Sequence, residues 1–311
     1  MLLEKKDVMP AQYIYHYTSA EVLHKLCEGI VENPETKEKF FMFHASSLLS
    51  MNDPTEFFRG YEIIWKELPE IEKQLEIKED KFKLSKFWTF VKTGKSDKVL
   101  NTEFVDAIYD GQHSPFVICF SKKRDSLPMW TMYGDNGHGV CLKFCESNLQ
   151  IVENGYVPKV EVLRNLNVIS VEYGKWKSES ILRKNLVTMY ENYYSEVKQL
   201  QSFQKIRTKQ LEALSMFCVV IATFLKHGAY DYEEESRLFI YEPSIDACFY
   251  TNRRGQMISY KNVNIPIAYL KEIIVGPSVD FKSTEHTLKQ LTRKYGIEDV
   301  HISASKVPYR D

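Results

Sequence analysis

Nothing in this 311-residue chain supplies a cysteine framework. Its six cysteines, Cys27, Cys119, Cys141, Cys145, Cys218 and Cys248, are scattered, and none forms a C-x-x-C pair. Cys141 and Cys145 have no Cys/His pair at zinc spacing nearby, so all six read as reduced, mostly buried thiols and no metal site is expected. A charge of one sign is missing as well. The formal net charge is −1, so no global basic field draws the chain to nucleic acid, although local basic patches remain open. Long hydrophobic runs are also missing. The longest, Leu214 to Leu225, is interrupted by a serine and a threonine and falls short of the roughly 18 residues that a membrane span requires. It reads as a buried helix. The opening Met1-Leu2-Leu3-Glu4-Lys5-Lys6-Asp7 carries no signal-peptide pattern, so a cytoplasmic protein with no membrane contact is expected.

Several chemical signatures are absent. No G-x-G-x-x-G follows a strand-like run and there is no P-loop, which removes the support for a dinucleotide or nucleotide-phosphate loop. G-x-S-x-G and H-E-x-x-H do not occur, so neither an α/β-hydrolase nor a zincin is indicated. His113 and His138 have no partner at metal-ligand spacing. There is no repeat and no low-complexity segment.

What is present is an ordinary globular composition, 44% hydrophobic and 27% charged. Strand patterns fall at Tyr13–Thr18, Phe40–Ala45, Pro115–Ser121, Val157–Leu163, Val168–Tyr173, Glu272–Val275 and Asp299–Ser303. Pro158 places the fourth of these at a sheet edge. Phe249–Tyr260 reads as a hairpin around Asn252-Arg253-Arg254-Gly255. Helical periodicity covers Ala20–Glu28, capped by Ser19 and stopped by Gly29, then Phe57–Lys73 and Ser283–Tyr295. Further helix is expected near Phe82–Val91 and throughout Ser178–Lys226, ending at His227-Gly228. Helices gather in blocks without regular strand–helix alternation. The expected fold class is therefore α+β, a single domain over 1–311 with a helical insertion or flank at 57–112.

Two stretches concentrate chemistry. Asp231 to Tyr241 begins as a run of carboxylates and ends as an apolar strand. Read as one strand, it places Glu233, Glu235 and Arg237 on one face and Glu234, Leu238 and Ile240 on the other. Burying such carboxylates requires a partner, and Arg237 is the local one. Paired carboxylates suit cleavage of a glycosidic bond: one stabilises an oxocarbenium-like cation, the other takes a proton, and their proximity raises one pKa. An acidic surface turn before an ordinary strand explains the same residues. The second stretch, Leu127 to Phe144, has a proline-initiated helical turn with Trp130 and Tyr133, then Gly134, Gly137 and Gly139. Its glycines would let backbone amides approach a ligand, or form no more than a hairpin connection. Trp130 reads as core, whereas Tyr133 fits the core and a stacking wall equally. Asn52-Asp53-Pro54 is a turn signal, and with Glu56 it reads either as a capped helix start or as a loop able to hold a ribose.

Tyr15-His16-Tyr17-Thr18, Leu49-x-x-Asn52-Asp53-Pro54-x-Glu56, Met129-Trp130-x-x-Tyr133 with Gly139-Val140, Lys226 and Glu233-x-Glu235-x-Arg237 occur in this order. By them the chain resembles, from about Tyr13 to Tyr309, a bacterial family labelled a domain of unknown function, number 2971. That family in turn looks like the ADP-ribosyltransferase fold, with mixed and antiparallel sheets. The resemblance implies NAD as substrate and transfer of ADP-ribose to a macromolecule, protein or nucleic acid, or to water. It implies Glu235 and Glu233 as catalytic carboxylates. His16 would hold the adenosine-side ribose, and Tyr17 or Tyr133 would pack on nicotinamide. Thr18, Asn52 and Arg237 complete the implied NAD-binding set, Arg237 restraining the carboxylates or binding pyrophosphate. Bacterial enzymes of this kind often act as toxins or antiphage effectors. The same carboxylates would serve a nucleoside hydrolase or a deoxyribosyltransferase, and a non-catalytic nucleotide-binding module is the remaining reading.

Overall fold

A computed structural model describes residues 12–48, 56–87, 90–93, 96–99, 114–146, 168–174, 176–198, 213–215, 217–218, 220–242, 247–251 and 255–309. The expected strand at Val157–Leu163, the Asn52-Asp53-Pro54 turn and the hairpin tip at Asn252–Arg254 lie outside them.

The chain opens with β1 (Tyr13–Thr18), α1 (Ala20–Glu28), β2 (Val31–Glu32) and β3 (Lys39–Ser47). The α1 boundaries follow the expected signals: Ser19 accepts from the Val22 amide and Gly29 ends the helix. Then come α2 (Glu56–Gln74), α3 (Leu84–Phe87), β4 (Phe90–Thr93), β5 (Ser96–Val99), β6 (Ser114–Ser121) and α4 (Leu127–Met132). β7 (Val140–Cys145), β8 (Val168–Ser170), β9 (Glu172–Tyr173), α5 (Ile181–Val197) and β10 (Leu225–Lys226) follow. The last third holds β11 (Glu235–Glu242), β12 (Cys248–Thr251), β13 (Met257–Pro266), β14 (Leu270–Val275), α6 (Phe281–Tyr295) and β15 (His301–Ala304).

An 11-stranded sheet dominates, in the order β12-β13-β3-β6-β1-β7-β14-β15, with β11 on the free side of β6, β8 on β11, and β2 on β3. Every pairing within it is antiparallel except β14 with β15. This is the mixed helix–sheet architecture that the blocked pattern of elements implies. The alternation of β11 sorts its side chains between two cores. Leu238 and Ile240 join Ile14, Phe116, Phe144 and the inner faces of α1 and α6. On the opposite face, Phe239 packs against the core made by α2, α5 and the segment 214–225. A third, smaller core gathers Tyr15, Tyr17, Met129, Trp130, Cys141 and Ile274.

Three local expectations are corrected. The stretch 82–91 is not one helix: α3 is only 4 residues long, and a two-stranded ribbon, β4 on β5, follows. The Ser178–Lys226 stretch does not stay helical to Lys226, because the chain leaves helix after 222 and forms β10, parallel to β9. Glu233 is not on the late strand. It closes a 3-10 turn, Gly228–Glu233, and Glu234 adopts a left-handed conformation at φ 41°. The strand begins one residue later, so Glu235 and Arg237 keep the same face while Glu234 swings out to pair with Lys123 at 2.7 Å.

Candidate functional site

The site grows from the charges of β11. Arg237 is fully buried on β11, between β6 and β8, where an unpaired guanidinium would be prohibitively costly. Its Nε donates to Glu235 Oε1 at 2.7 Å and its Nη2 to Glu235 Oε2 at 2.9 Å, a two-pronged grip. The same Nη2 donates to Glu56 Oε1, and Nη1 donates to the Thr223 carbonyl. Lys226 Nζ lies above this layer, donating to Glu233 Oε2 at 2.7 Å and Glu235 Oε2 at 3.0 Å, with Glu56 Oε2 at 3.4 Å. Three carboxylates therefore face two cations, all five side chains buried, and the cluster carries an excess of negative formal charge.

Elements distant in sequence deliver these groups. Glu56 is the first residue of α2. One turn on, Gly60 lies so close to the Ala222 carbonyl that a Cβ there would sit 2.1 Å from its oxygen. That approach seats the start of α2 beside the segment leading to Lys226. β10 fixes Lys226 through its pairing with Tyr173. The Tyr173 hydroxyl accepts from the Glu235 amide at 2.7 Å. Ser121, at the end of β6, donates to the Glu233 carbonyl and accepts from the Lys123 amide, which pins the turn between the two carboxylates.

Above the charges opens a cleft of about 370 Å³. Its floor includes Glu56, Lys226, Glu233 and Glu235, and its walls include Tyr15, His16, Tyr17, Phe120, Met129, Met132, Tyr133 and Tyr230. Tyr133 ties wall to floor, its hydroxyl donating to Glu233 Oε1 at 2.9 Å. Burial and the neighbouring Glu233 push the Tyr133 pKa up, so the phenol keeps its proton. The Lys226 ring contact to Tyr230 is 4.9 Å from ammonium to centroid.

His16, Tyr133, Glu233 and Glu235, four of the residues singled out from sequence, thus meet in one cleft, and Tyr17 joins them. The His16 Nδ1 is 3.0 Å from the Cys119 carbonyl, so that nitrogen carries the proton. Burial lowers the His16 pKa against the opposing pull of that carbonyl, which leaves a neutral ring with Nε2 as an acceptor. Tyr17 turns its hydroxyl away to the Lys123 carbonyl and the Ser126 amide, and its ring meets Trp130 edge-on at 4.9 Å. Thr18 does not line the cleft. It pairs with Val140 at the end of β1. Arg237 lies beneath the cleft, its forks spent on Glu235, Glu56 and Thr223. Asn52 lies outside the described residues.

One chemical expectation is also corrected, and one open choice is decided. The crowding of carboxylates does not lift the Glu235 pKa. Burial pushes it up, but the Arg237 charge and hydrogen bonds, with Lys226, outweigh burial and hold it at about 2. The glycines of the 134–139 loop serve packing. A Cβ on Gly139 would meet the Thr18 oxygen at 2.2 Å, and Gly276 approaches the Gly137 carbonyl equally closely. Trp130 is core, as expected, fully buried with Nε1 donating to Asp125 at 2.7 Å. Glu56 and Lys226 are the residues that sequence reasoning underweighted. The signal at Lys226 is a charge closing the apolar run from Leu214, whereas Glu56 offers only its place after the Asn52-Asp53-Pro54 turn signal.

Among the described residues no group of His, Cys, Asp and Glu is arranged to hold a metal ion, and no helix is long and apolar enough to cross a membrane. The model of one family, described as Protein of unknown function (DUF2971), matches residues 129–238. That span carries Met129, Tyr133, Lys226, Glu233, Glu235 and Arg237, and so much of one wall and most of the floor of the cleft. No curated protein and no solved structure matches the chain.

Proposed function

We propose that this protein cleaves an N-glycosidic bond, and that its substrate is NAD, with ADP-ribose passed to a macromolecule or to water on a scaffold of the ADP-ribosyltransferase type. The observation that carries the reading is the acidic floor under aromatic walls: Lys226 bridges Glu233 and Glu235 while Tyr133 caps Glu233. The bond between nicotinamide and C1′ of the ribose breaks with its electron pair leaving on nicotinamide. Positive charge then grows on the ribose, and a floor with excess negative charge stabilises it without rearranging.

The two late carboxylates divide the work. Glu235 has both oxygens held by Arg237 and Lys226, and its low pKa keeps it a fixed anion. It supplies charge and does not exchange a proton near neutrality. Glu233 accepts one hydrogen bond on each oxygen, from Tyr133 and from Lys226. Its remaining lone pairs can receive the proton that the acceptor hydroxyl loses as the new C1′–O bond forms. Tyr133 and Phe120 offer ring surface to nicotinamide, and the acceptor nitrogen of His16 suits a ribose hydroxyl.

A nucleoside substrate is the second reading, and one observation favours it. Lys226, the cation of the floor, is surrounded by three carboxylates, so the floor itself repels phosphate. The two readings separate by incubating the protein with NAD and with purine and pyrimidine nucleosides and measuring free base by chromatography. Nicotinamide release that disappears in Glu233→Gln and Glu235→Gln supports the first. Release of a nucleobase with NAD untouched supports the second. A wild-type protein that leaves every substrate intact overturns both.

A further inference from the structure

We infer that Arg124 and Lys143 form an anion subsite beside the cleft, which takes a phosphate of a nucleotide whose glycosidic bond lies over the acidic floor. The inference rests on the reading of the cleft as a glycoside-cleaving site and narrows its substrate class to nucleotides.

Strand register sets the subsite next to the cleft. Glu235 on β11 is opposite Ser121 on β6, Ser121 is opposite Tyr15 on β1, Tyr15 is opposite Lys143 on β7, and Lys143 is opposite Glu272 on β14. Residues directly opposite share a face of the sheet, so one row runs from the floor of the cleft outward. Glu235, Ser121 and Tyr15 line the cleft, and Lys143 is the next position. At about 4.8 Å per strand, the Lys143 backbone stands roughly 14 Å from that of Glu235. Long side chains shorten that span, which suits an extended nucleotide lying across the strands. Arg124, just after β6, reaches over the same row: Nη2 donates to Glu272 Oε1 at 2.5 Å and to Ser303 Oγ at 3.3 Å. Burial pushes the Tyr15 pKa up, and the Arg124 charge opposes it.

Both cations keep donors for a ligand. Arg124 spends Nε and Nη2 on Glu272 and Ser303, whereas Nη1 bonds to no described residue and is not a buried atom; the side chain is 35% exposed. Lys143 Nζ stands 3.6 Å from Glu272 Oε2, an ion pair without a hydrogen bond, and 4.0 Å from the centre of the Tyr13 ring. The other carboxylate whose charge reaches Arg124, Asp125, is held by Trp130 Nε1, Ser305 Oγ and the Lys306 amide. The floor sets three carboxylates against two cations, and this patch sets two cations against Glu272. A ligand that develops positive charge at one end and carries a phosphate further along complements both. A nucleoside leaves the basic end empty.

Calorimetric binding of NAD, nicotinamide mononucleotide and nicotinamide riboside tests the subsite, with base release and thermal unfolding measured alongside. The mononucleotide and the riboside differ by the phosphate alone, so the ratio of their affinities isolates it. The wild type should favour the mononucleotide, and that preference should fall about 10- to 100-fold in the Arg124→Gln, Lys143→Gln double variant, with riboside affinity nearly kept. Lys143→Gln alone gives a smaller fall of the same sign and serves should the double variant not fold. Glu272→Gln frees both cations and should tighten the mononucleotide about 3- to 10-fold, a gain that damage to the fold cannot produce. Lys25→Gln, on α1 against the opposite face of the sheet, removes the same charge and should leave the ratio unchanged. A wild-type ratio near one, or a ratio unmoved in the folded variants, overturns the subsite, and base release under those conditions leaves the glycosidase reading standing. A phosphate preference that answers to Arg124 and Lys143, with no base released from any ligand, upholds the subsite and overturns the glycosidase reading. A wild type that binds none of the ligands overturns both.

Discussion

The hydroxyl of Tyr133 donates to Oε1 of Glu233 at 2.9 Å and so couples the aromatic wall of the cleft to its acidic floor. Tyr133 sits at the C-terminal end of α4, and Glu233 closes the turn before β11, 100 residues later. Removing the hydroxyl with Tyr133→Phe leaves the ring packing and strips one donor from a buried carboxylate. The expected outcome is a small loss of stability, about 1 kcal/mol, and a fall in turnover of about tenfold with KM less affected. Steady-state base release together with urea denaturation checks both halves.

Arg237 should behave in the opposite way, as a residue of stability first. It has no exposed surface and balances Glu235 and Glu56. Arg237→Met leaves those carboxylates buried with Lys226 alone, and the expected cost is on the order of 3–5 kcal/mol. Arg237→Lys keeps the charge but cannot grip both oxygens of Glu235 while also reaching Glu56 and the Thr223 carbonyl, so it should recover only part of the loss. Urea midpoints of the two variants rank them, and equal stability of Met and wild type would contradict the account.

How much of this was legible in the sequence depends on distance along the chain. β1, α1 and the α6 helix announce themselves by local pattern and caps, and the Glu235–Arg237 pair follows from the period of a strand. Nothing local to Glu56 says that it meets a guanidinium 181 residues away. Lys226 follows an apolar run that reads as helix, and its charge at a helix end has a sufficient explanation in the dipole. The two-residue strand that holds it depends on β9, a tertiary partner. Alternation carries Glu233 onto the strand because a left-handed Glu234 has no signal in its own side chain. The glycine loop admits two readings because close approach to a backbone and close approach to a ligand demand the same residue.

The low pKa of Glu235 makes a pH prediction with a definite sign. Its ordinary value of 4.5 describes the unfolded chain, and Arg237 and Lys226 hold the folded value at about 2 despite burial. A depressed carboxylate stabilises the fold fully above its unfolded pKa and loses that contribution as pH falls through the folded value. The window is therefore about pH 5 down to about pH 2, and the contribution lost is on the order of 3 kcal/mol. Glu235→Gln lacks the titrating group, so its unfolding free energy, though lower near neutrality, should fall less steeply across the same window. Denaturation curves taken at half-unit steps measure the two slopes. Parallel slopes would show that Glu235 does not carry the effect.

Gly139 offers a test of how the wall of the cleft is positioned. Its backbone is wedged between the Thr18 carbonyl, 2.2 Å from where a Cβ would sit, and the Gly134 carbonyl at 2.8 Å. It also accepts from the Gly276 amide at 3.0 Å, so three segments converge on it: the end of β1, the turn after α4 and the end of β14. All the blocking atoms belong to backbone and cannot swing aside. Gly139→Ala must therefore push β1 and the α4 turn apart, at a cost of about 1–3 kcal/mol or more. Gly228→Ala is the control, because its nearest neighbour stands at 3.6 Å, ordinary contact, and it should change stability by no more than about 0.5 kcal/mol. The same displacement moves Tyr133 relative to His16, so ligand affinity should fall in the Gly139 variant even at temperatures where it remains folded. A stable Gly139→Ala protein with unchanged affinity would mean that the glycine loop does not set the width of the cleft.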